Sequence, residues 1–95
     1  MYHIEISSSV KKDLKKLSFE VREKIINEIL PFLALDPYEG EILQGEFRRF
    51  WRFKFKHKKT EYRIVYEIFE EELIVLLIII GTRENFYKKL KRRVK

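Results

Sequence analysis

The sequence predicts an α+β fold in which an N-terminal strand and a helical hairpin pack on an antiparallel β-sheet of about four strands, followed by a short C-terminal basic tail or helix. Three observations predict it. Residues 50–66, FWRFKFKHKKTEYRIVY, alternate apolar and polar side chains with the period of two that marks half-buried strands. Residues 10–33 carry apolar side chains at helical spacing, and residues 73–80 are apolar without interruption. With 95 residues, of which 45% are hydrophobic, the chain suffices for one core, so residues 1–95 are read as a single domain.

Taken in order, Tyr2, Ile4 and Ile6 alternate with His3 and Glu5 and read as a first strand. Ser7 to Ser9 offer caps for a helix with Val10, Leu14 and Leu17 on one face and lysines on the other. Ser18 caps a second helix, and its stripe of Val21, Ile25, Ile29 and Phe32 or Leu33 makes the two a hairpin with one apolar side. Pro31 is expected to end or kink that helix near Leu30, with some helical turn persisting toward Leu35. Residues 36–47, DPYEGEILQGEF, hold Pro37, Gly40 and Gly45 and read as a connecting loop. A turn on Lys58 and Lys59 then pairs Trp51 with Tyr66, Phe53 with Ile64 and Phe55 with Tyr62. Glu70 and Glu71 make a tight turn into the strand of residues 73–80, which must be covered on both faces. Gly81 ends it, and the tail beyond Thr82, with Phe86, Tyr87 and Leu90, is expected to be helical over part of its length.

The other face of the hairpin breaks a local rule. Its register sets Lys54 directly opposite Arg63, with Arg52 two residues along the strand, and like charges directly opposite destabilise a sheet. Inside an otherwise consistent element, such a conflict marks a functional surface; the alternative is a solvated basic face. Residues 48–63 hold eight Lys or Arg against one Glu and residues 83–95 seven against one, so these stretches carry +13 within a net charge of +6, and the remainder carries −7. Segregation on this scale is the electrostatic footprint of a nucleic-acid or other polyanion binder, and it draws an acidic protein equally. A two-residue turn at Glu70 and Glu71 would pair Arg63 with Ile78, and Arg83 would then bend back so that four cations line one pocket with Tyr87 closing it.

Other chemistries are excluded or unsupported. Without cysteine there is neither a disulfide nor a thiolate metal site, and His3 and His57 stand apart without a carboxylate motif, so no metal is expected. No carboxylate pair, Ser-His pair or Gly-rich phosphate loop accompanies the cations, which removes most hydrolase and nucleotide-binding templates. The longest apolar run is too short to span a bilayer, and with no secretory signal the cytoplasm is the expected compartment.

The runs LDPYEG, LQGEF, FWRFKF, EYRIVYEI and GTRENFY, set around a long apolar strand, resemble the RelE/ParE toxin superfamily of prokaryotic type II toxin-antitoxin systems over almost the whole chain. The most specific pieces are YRIVYEI and the Arg-x-x-x-Tyr that ends at Tyr87. The resemblance implies a cognate antitoxin covering the basic surface, no cofactor and, in the RelE branch, cleavage of messenger RNA in the ribosomal A site. It also implies roles. Lys54, Arg63, Arg83 and Tyr87 resemble the catalytic set, and Arg48, Arg49, Arg52 and Lys56 are read as RNA-binding. For attack of a 2′-hydroxyl on phosphate, Lys54 is the candidate base, Arg63 and Arg83 hold the phosphate with Arg83 near the leaving oxygen, and Tyr87 stacks on a base or orients the ribose. Arg52 departs from the RelE pattern, where lysine is usual, and arginine is too basic to act as a base. The spacing from Arg83 to Tyr87 is also shorter than in the RelE type. A ParE-like toxin that inhibits DNA gyrase, or a binding protein that keeps the fold without activity, are the alternatives.

Overall fold

The strand that is apolar on both faces takes an interior place in the sheet. In the computed structural model, which describes residues 1–95, β5 (Ile74–Thr82) lies between β1 (His3–Ile6) and β4 (Thr60–Phe69). Beyond β4 come β3 (Trp51–His57) and the edge strand β2 (Glu41–Ile42), giving the order β1-β5-β4-β3-β2. The sheet therefore has five strands, close to the expected four, and it is mixed, because β1 runs parallel to β5 while the other pairs are antiparallel. A parallel pair needs a long crossover, which the helices supply. The added strand β2 comes from the stretch expected to be a loop, with Glu41 opposite Arg52 and Ile42 opposite Trp51.

Both serine caps form as read. Ser7 Oγ accepts from the Val10 N–H at the start of α1 (Ser8–Lys15), and Ser18 Oγ accepts from the Val21 N–H at the start of α2 (Phe19–Lys24), each at 3.3 Å. Pro31 does not end the helix. A π-helical turn over Ile25–Ile29, with the Leu30 N–H bonded to the Ile25 carbonyl, leads directly into α3 (Leu30–Leu35). Proline lacks an N–H and its ring clashes with the carbonyl four residues back; the wider turn just ahead of Pro31 shifts that bonding register, and the helix continues.

The β3–β4 hairpin has the expected register throughout, including Lys54 opposite Arg63, and Lys58 at its turn adopts φ of 55°. The β4–β5 register differs. Its turn takes four residues, so Phe69 pairs with Ile74, and a β-bulge leaves Ile78 unpaired between the Tyr66–Leu77 and Val65–Ile79 pairs. Arg63 consequently lies opposite Gly81, three residues beyond the Ile78 expected from a tight turn.

Apolar side chains cover both faces of the sheet. On one, Val10, Val21, Ile25 and Leu33 of the helical hairpin meet Ile64, Tyr66, Leu77 and Ile80, with Trp51, Phe53 and Phe55 packed against them. On the other, α4 (Phe86–Arg93) lays Phe86 and Leu90 over Val65 and Ile79, joined by Leu43 and Phe50. Asp13 of α1 ties α4 down at its far end: its carboxylate accepts from Arg93 at 2.6 and 3.2 Å and from the Ile80 N–H at 3.0 Å. No helix is long and apolar enough to cross a membrane.

Candidate nucleic-acid interface

Strand alternation decides which polar side chains meet. With Trp51, Phe53 and Phe55 turned toward the helical hairpin, Arg52, Lys54 and Lys56 of β3 project from the opposite face together with Glu61 and Arg63 of β4. That face is the one on which α4 packs. Tyr87, in the first turn of α4, accepts hydrogen bonds at its hydroxyl from Arg52 and from Arg63, the latter at 3.3 Å. The Arg63 guanidinium also sits 5.7 Å from the centroid of the Tyr87 ring, and Phe47 and Phe86 flank that ring with centroids at 6.3 and 5.4 Å. Tyr87 is thus half-buried, with its ring packed and its hydroxyl held between two arginines.

The repulsion built into the hairpin is offset by two carboxylates. Glu61 takes two hydrogen bonds from Arg63, 3.1 Å from Nε and 2.9 Å from Nη2. Glu41, delivered by β2, accepts from Arg52 at 3.2 Å and stands 3.9 Å from Lys54 Nζ. Donation from Arg63 Nε and Nη2 to a single Glu61 oxygen holds that carboxyl below the usual carboxylate range; desolvation opposes this, and the nearby Lys54 and Lys56 lower it further. Desolvation works to lower Arg52, but its bonds to Tyr87 and Glu41 prevail and make the guanidinium more basic than usual. Arg52 Nε remains buried without a partner, a donor of the cluster left unused.

Arg83 does not join this cluster. Because Gly81 and Thr82 complete the ladder opposite Arg63 and Tyr62, Arg83 leaves the sheet beside the β3–β4 turn. There it lines an open groove of about 690 Å³ with Lys56, Lys59, Glu61 and Glu84. The single four-cation pocket expected from a tight turn is replaced by two adjoining sites, Arg52–Lys54–Arg63–Tyr87 and Lys56–Arg83, with Glu61 belonging to both. Arg48 and Arg49 lie outside them: Arg48 bonds the Gly45 carbonyl at 3.3 Å, and Arg49 stacks 4.5 Å from the Phe50 ring centroid and pairs with Glu67 at 3.9 Å.

Sequence reasoning passed over both acids. Glu61 was visible as the lone acid beside Arg63 and, in the hairpin register, directly across from Lys56. Nothing in the sequence marked Glu41, because a strand of two residues carries no periodicity. The chemistry open to the arrangement is that of phosphate binding: planar guanidiniums for bidentate contact, an ammonium between them and a phenol to orient them.

The family model described as ParE-like toxin of type II bacterial toxin-antitoxin system matches residues 4–91. The mRNA interferase toxin RelE of Escherichia coli (strain K12) is 26% identical over 95 residues, spanning 98% of this chain and 97% of that protein. Among solved structures, a mutant of E. coli toxin RelE in the free state superposes with a TM-score of 0.75 at 23% identity, covering 99% of this chain and 98% of that one. The toxin-antitoxin complex RelBE2 from Mycobacterium tuberculosis matches with a TM-score of 0.73 at 22% identity, over 86% of this chain and 98% of that one.

Proposed function

The chain belongs to the ParE-like toxin family of type II bacterial toxin-antitoxin systems, and on that premise we propose that it is an endoribonuclease toxin that cuts messenger RNA on the ribosome. The observation that carries this reading is the gathering of Arg52, Lys54, Arg63 and Tyr87 on one face of the sheet, a set suited to holding a phosphodiester while its 2′-hydroxyl attacks. The full-length similarity to a named mRNA interferase supports it.

In this reading RNA phosphate displaces the carboxylates from the arginines. Arg63 and Arg52, through the guanidinium donors that Glu61 and Glu41 release, grip the non-bridging oxygens, and the charge that builds on the phosphorane is held by these cations. Lys54, the one amine among the guanidiniums of the cluster, is the proton acceptor for the 2′-hydroxyl. Arg83, one groove along with Lys56, binds the neighbouring phosphate; as the P–O2′ bond forms and the P–O5′ bond breaks, the departing 5′-oxygen takes its proton from water. Tyr87 orients the two guanidiniums through its hydroxyl. An antitoxin segment with acidic side chains masks the same surface until it is removed, in keeping with the relative solved as a toxin-antitoxin complex.

Lys54→Arg separates catalysis from binding. It keeps the charge and removes the base, so cleavage of ribosome-bound messenger RNA falls at least ~100-fold while binding hardly changes. Arg83→Ala weakens both. Cleavage by Lys54→Arg at the parental rate would reduce Lys54 to a phosphate anchor and refute the mechanism. Two observations favour a second reading: the family match is to the ParE-like description, and Glu41 and Glu61 leave few cluster cations free. A parent that never cuts RNA but stalls DNA gyrase would establish that gyrase-inhibitor alternative.

A further inference from the structure

Each cation of the cluster already has a carboxylate where a phosphate would lie. One Glu61 oxygen takes both the Nε and the Nη2 of Arg63, at 3.1 and 2.9 Å, the two donors that a guanidinium presents side by side to an oxyanion. One Glu41 oxygen stands 3.2 Å from Arg52 Nη2 and 3.9 Å from Lys54 Nζ, as a non-bridging phosphate oxygen stands between two cations. The adjoining groove is different. Lys56 and Arg83 line it without entering an ion pair, so the local acids are set on the cluster and the neighbouring cations are left open.

The two acids are built in to different depths. Glu61 sits in the middle of the hairpin, directly across from Lys56, with its side chain 27% exposed. Glu41 comes from β2, whose approach is tightly packed: Gly40 has no room for a Cβ beside the Tyr66 hydroxyl and the Arg52 carbonyl, and that hydroxyl donates to the Pro37 carbonyl at 2.7 Å. The Glu41 side chain is 62% exposed, so the backbone is held at the cluster while the carboxylate is free to swing into water. A strand of two residues adds little to the sheet. What β2 adds is a negative charge at a fixed place.

Two opposite effects follow from this placement. In the free protein the carboxylates offset the repulsion of Lys54 facing Arg63 and so stabilise the hairpin. Toward RNA they compete, because a site whose cations are occupied binds with an affinity lowered by the fraction of time it stands open. A free strand meets Lys56 and Arg83 without hindrance, but to seat the next phosphate on Arg63 it exchanges one charge-assisted contact for another of the same kind. It gains little and still loses its own freedom. A strand whose path is already fixed has that ordering cost behind it and completes the exchange.

We propose that Glu41 and Glu61 are specificity-determining residues that stand in for RNA phosphates in the free protein, so that the cluster admits a strand held in place, as on the ribosome, and resists free RNA. The role of the ribosome rests on the ribonuclease reading; the occupation of the phosphate positions does not. Lys56 and Arg83 engage RNA first, and Arg52 and Arg63 follow as the carboxylates turn away.

The test is Glu41→Gln and Glu61→Gln, singly and together, since glutamine keeps the size and an acceptor oxygen and removes the charge. A labelled unstructured RNA is titrated by fluorescence anisotropy over a range of salt concentrations, and cleavage is compared on free and on ribosome-bound messenger RNA. The double variant is expected to bind at least ~10-fold tighter at about 0.1 M salt, with the slope of log K against log salt steeper by about one, the share of two phosphate contacts no longer offset by carboxylates. Its cleavage of free RNA rises at least ~10-fold relative to its cleavage on ribosomes. It also unfolds at a lower temperature, so affinity and stability move in opposite directions, which a merely structural role of the acids would not produce. Glu41→Gln alone, at an exposed side chain, gains about 3-fold and serves if the double variant does not fold. The control Glu71→Gln, Glu72→Gln removes the same charge from the exposed β4–β5 turn, at the far end of β4 from Arg63, and gains less than ~2-fold. An unchanged or weaker affinity in the double variant overturns the proposal, as does an equal gain in the control. Tighter binding with an unchanged ratio of free to ribosomal cleavage overturns it as well. Tighter binding by a protein that cuts no RNA, as parent or variant, leaves the carboxylates as phosphate stand-ins and removes the ribonuclease reading instead.

Discussion

Asp13→Ala measures how firmly the C-terminal helix is fastened. Asp13 is the one buried charged side chain, 8% exposed, and it holds three donors: Arg93 twice and the Ile80 N–H once. Alanine leaves the Ile80 N–H without an acceptor, a cost of about 1–3 kcal/mol. Losing the charge pair adds about 1 kcal/mol and not the full cost of a stranded buried ion, because Arg93, at 28% side-chain exposure, is free to turn to water. The sum is about 3 kcal/mol. For a domain of this size that lowers Tm by about 12–24 °C. Thermal unfolding followed by circular dichroism checks it. Asp13→Asn keeps an acceptor for Ile80 and loses only the charge, so it falls by less than half as much. A double-mutant cycle with Arg93→Gln isolates the pair at about 1 kcal/mol of coupling. Asp13→Ala within about 0.5 kcal/mol of the parent, or a cycle that closes to zero, would refute the assignment of α4 anchoring to this carboxylate.

Three other expectations follow from single features of the structure. A Cβ at Gly40 meets the Tyr66 hydroxyl and comes within 2.8 Å of the Arg52 carbonyl, so Gly40→Ala destabilises by about 1–3 kcal/mol in urea denaturation; a neutral result would show that β2 shifts freely. Tyr87→Phe keeps the packed ring and loses the acceptor shared by Arg52 and Arg63, so it costs at most about 1 kcal/mol of stability yet slows cleavage at least ~10-fold; a variant as fast as the parent denies the hydroxyl its positioning role. Because pairing with Arg63 depresses the folded-state value of Glu61, that pair's stabilisation is complete above the ordinary carboxylate value of about 4.3 and is lost as pH falls through the depressed one. Urea denaturation across the acid range should therefore show parent and Glu61→Gln converging at low pH, and a gap that persists there would contradict the pairing.

The parts of the fold legible in the sequence were those with a repeating pattern. Period-two alternation in residues 50–66 located the hairpin and its register down to Lys54 opposite Arg63, and serines ahead of apolar stripes located both caps. What escaped notice had no period. A strand of two residues leaves no pattern, so Glu41 stayed hidden in a loop. The turn before β5 is longer than Glu70 and Glu71 suggest, and a bulge in a run of isoleucines is invisible because its neighbours are interchangeable. Those two slips together carried Arg83 away from the cluster. Asp13 looked like one more polar residue on a lysine-rich face, since its partner Arg93 lies 80 residues away. At Pro31 the helical turn expected toward Leu35 is present, and only the expected stop near Leu30 is missing, because a π turn absorbs the proline's penalty.

The bulge at Ile78 also bears on how this chain tolerates changes in its length. Removing a residue from a strand normally turns every later side chain to the wrong face. Ile78 is the exception in β5, because it has no partner across the β4 ladder: without it, Leu77 still meets Tyr66, Ile79 still meets Val65, and Gly81 still meets Arg63. Its carbonyl accepts from Arg93 at 3.1 Å, so its loss loosens one contact of α4 but leaves the facing of the whole strand intact. A chain one residue shorter in this strand is thus reachable by a single deletion at this position, and a β5 with perfect alternation and one with a bulge can present Arg63 with the same partner across the sheet.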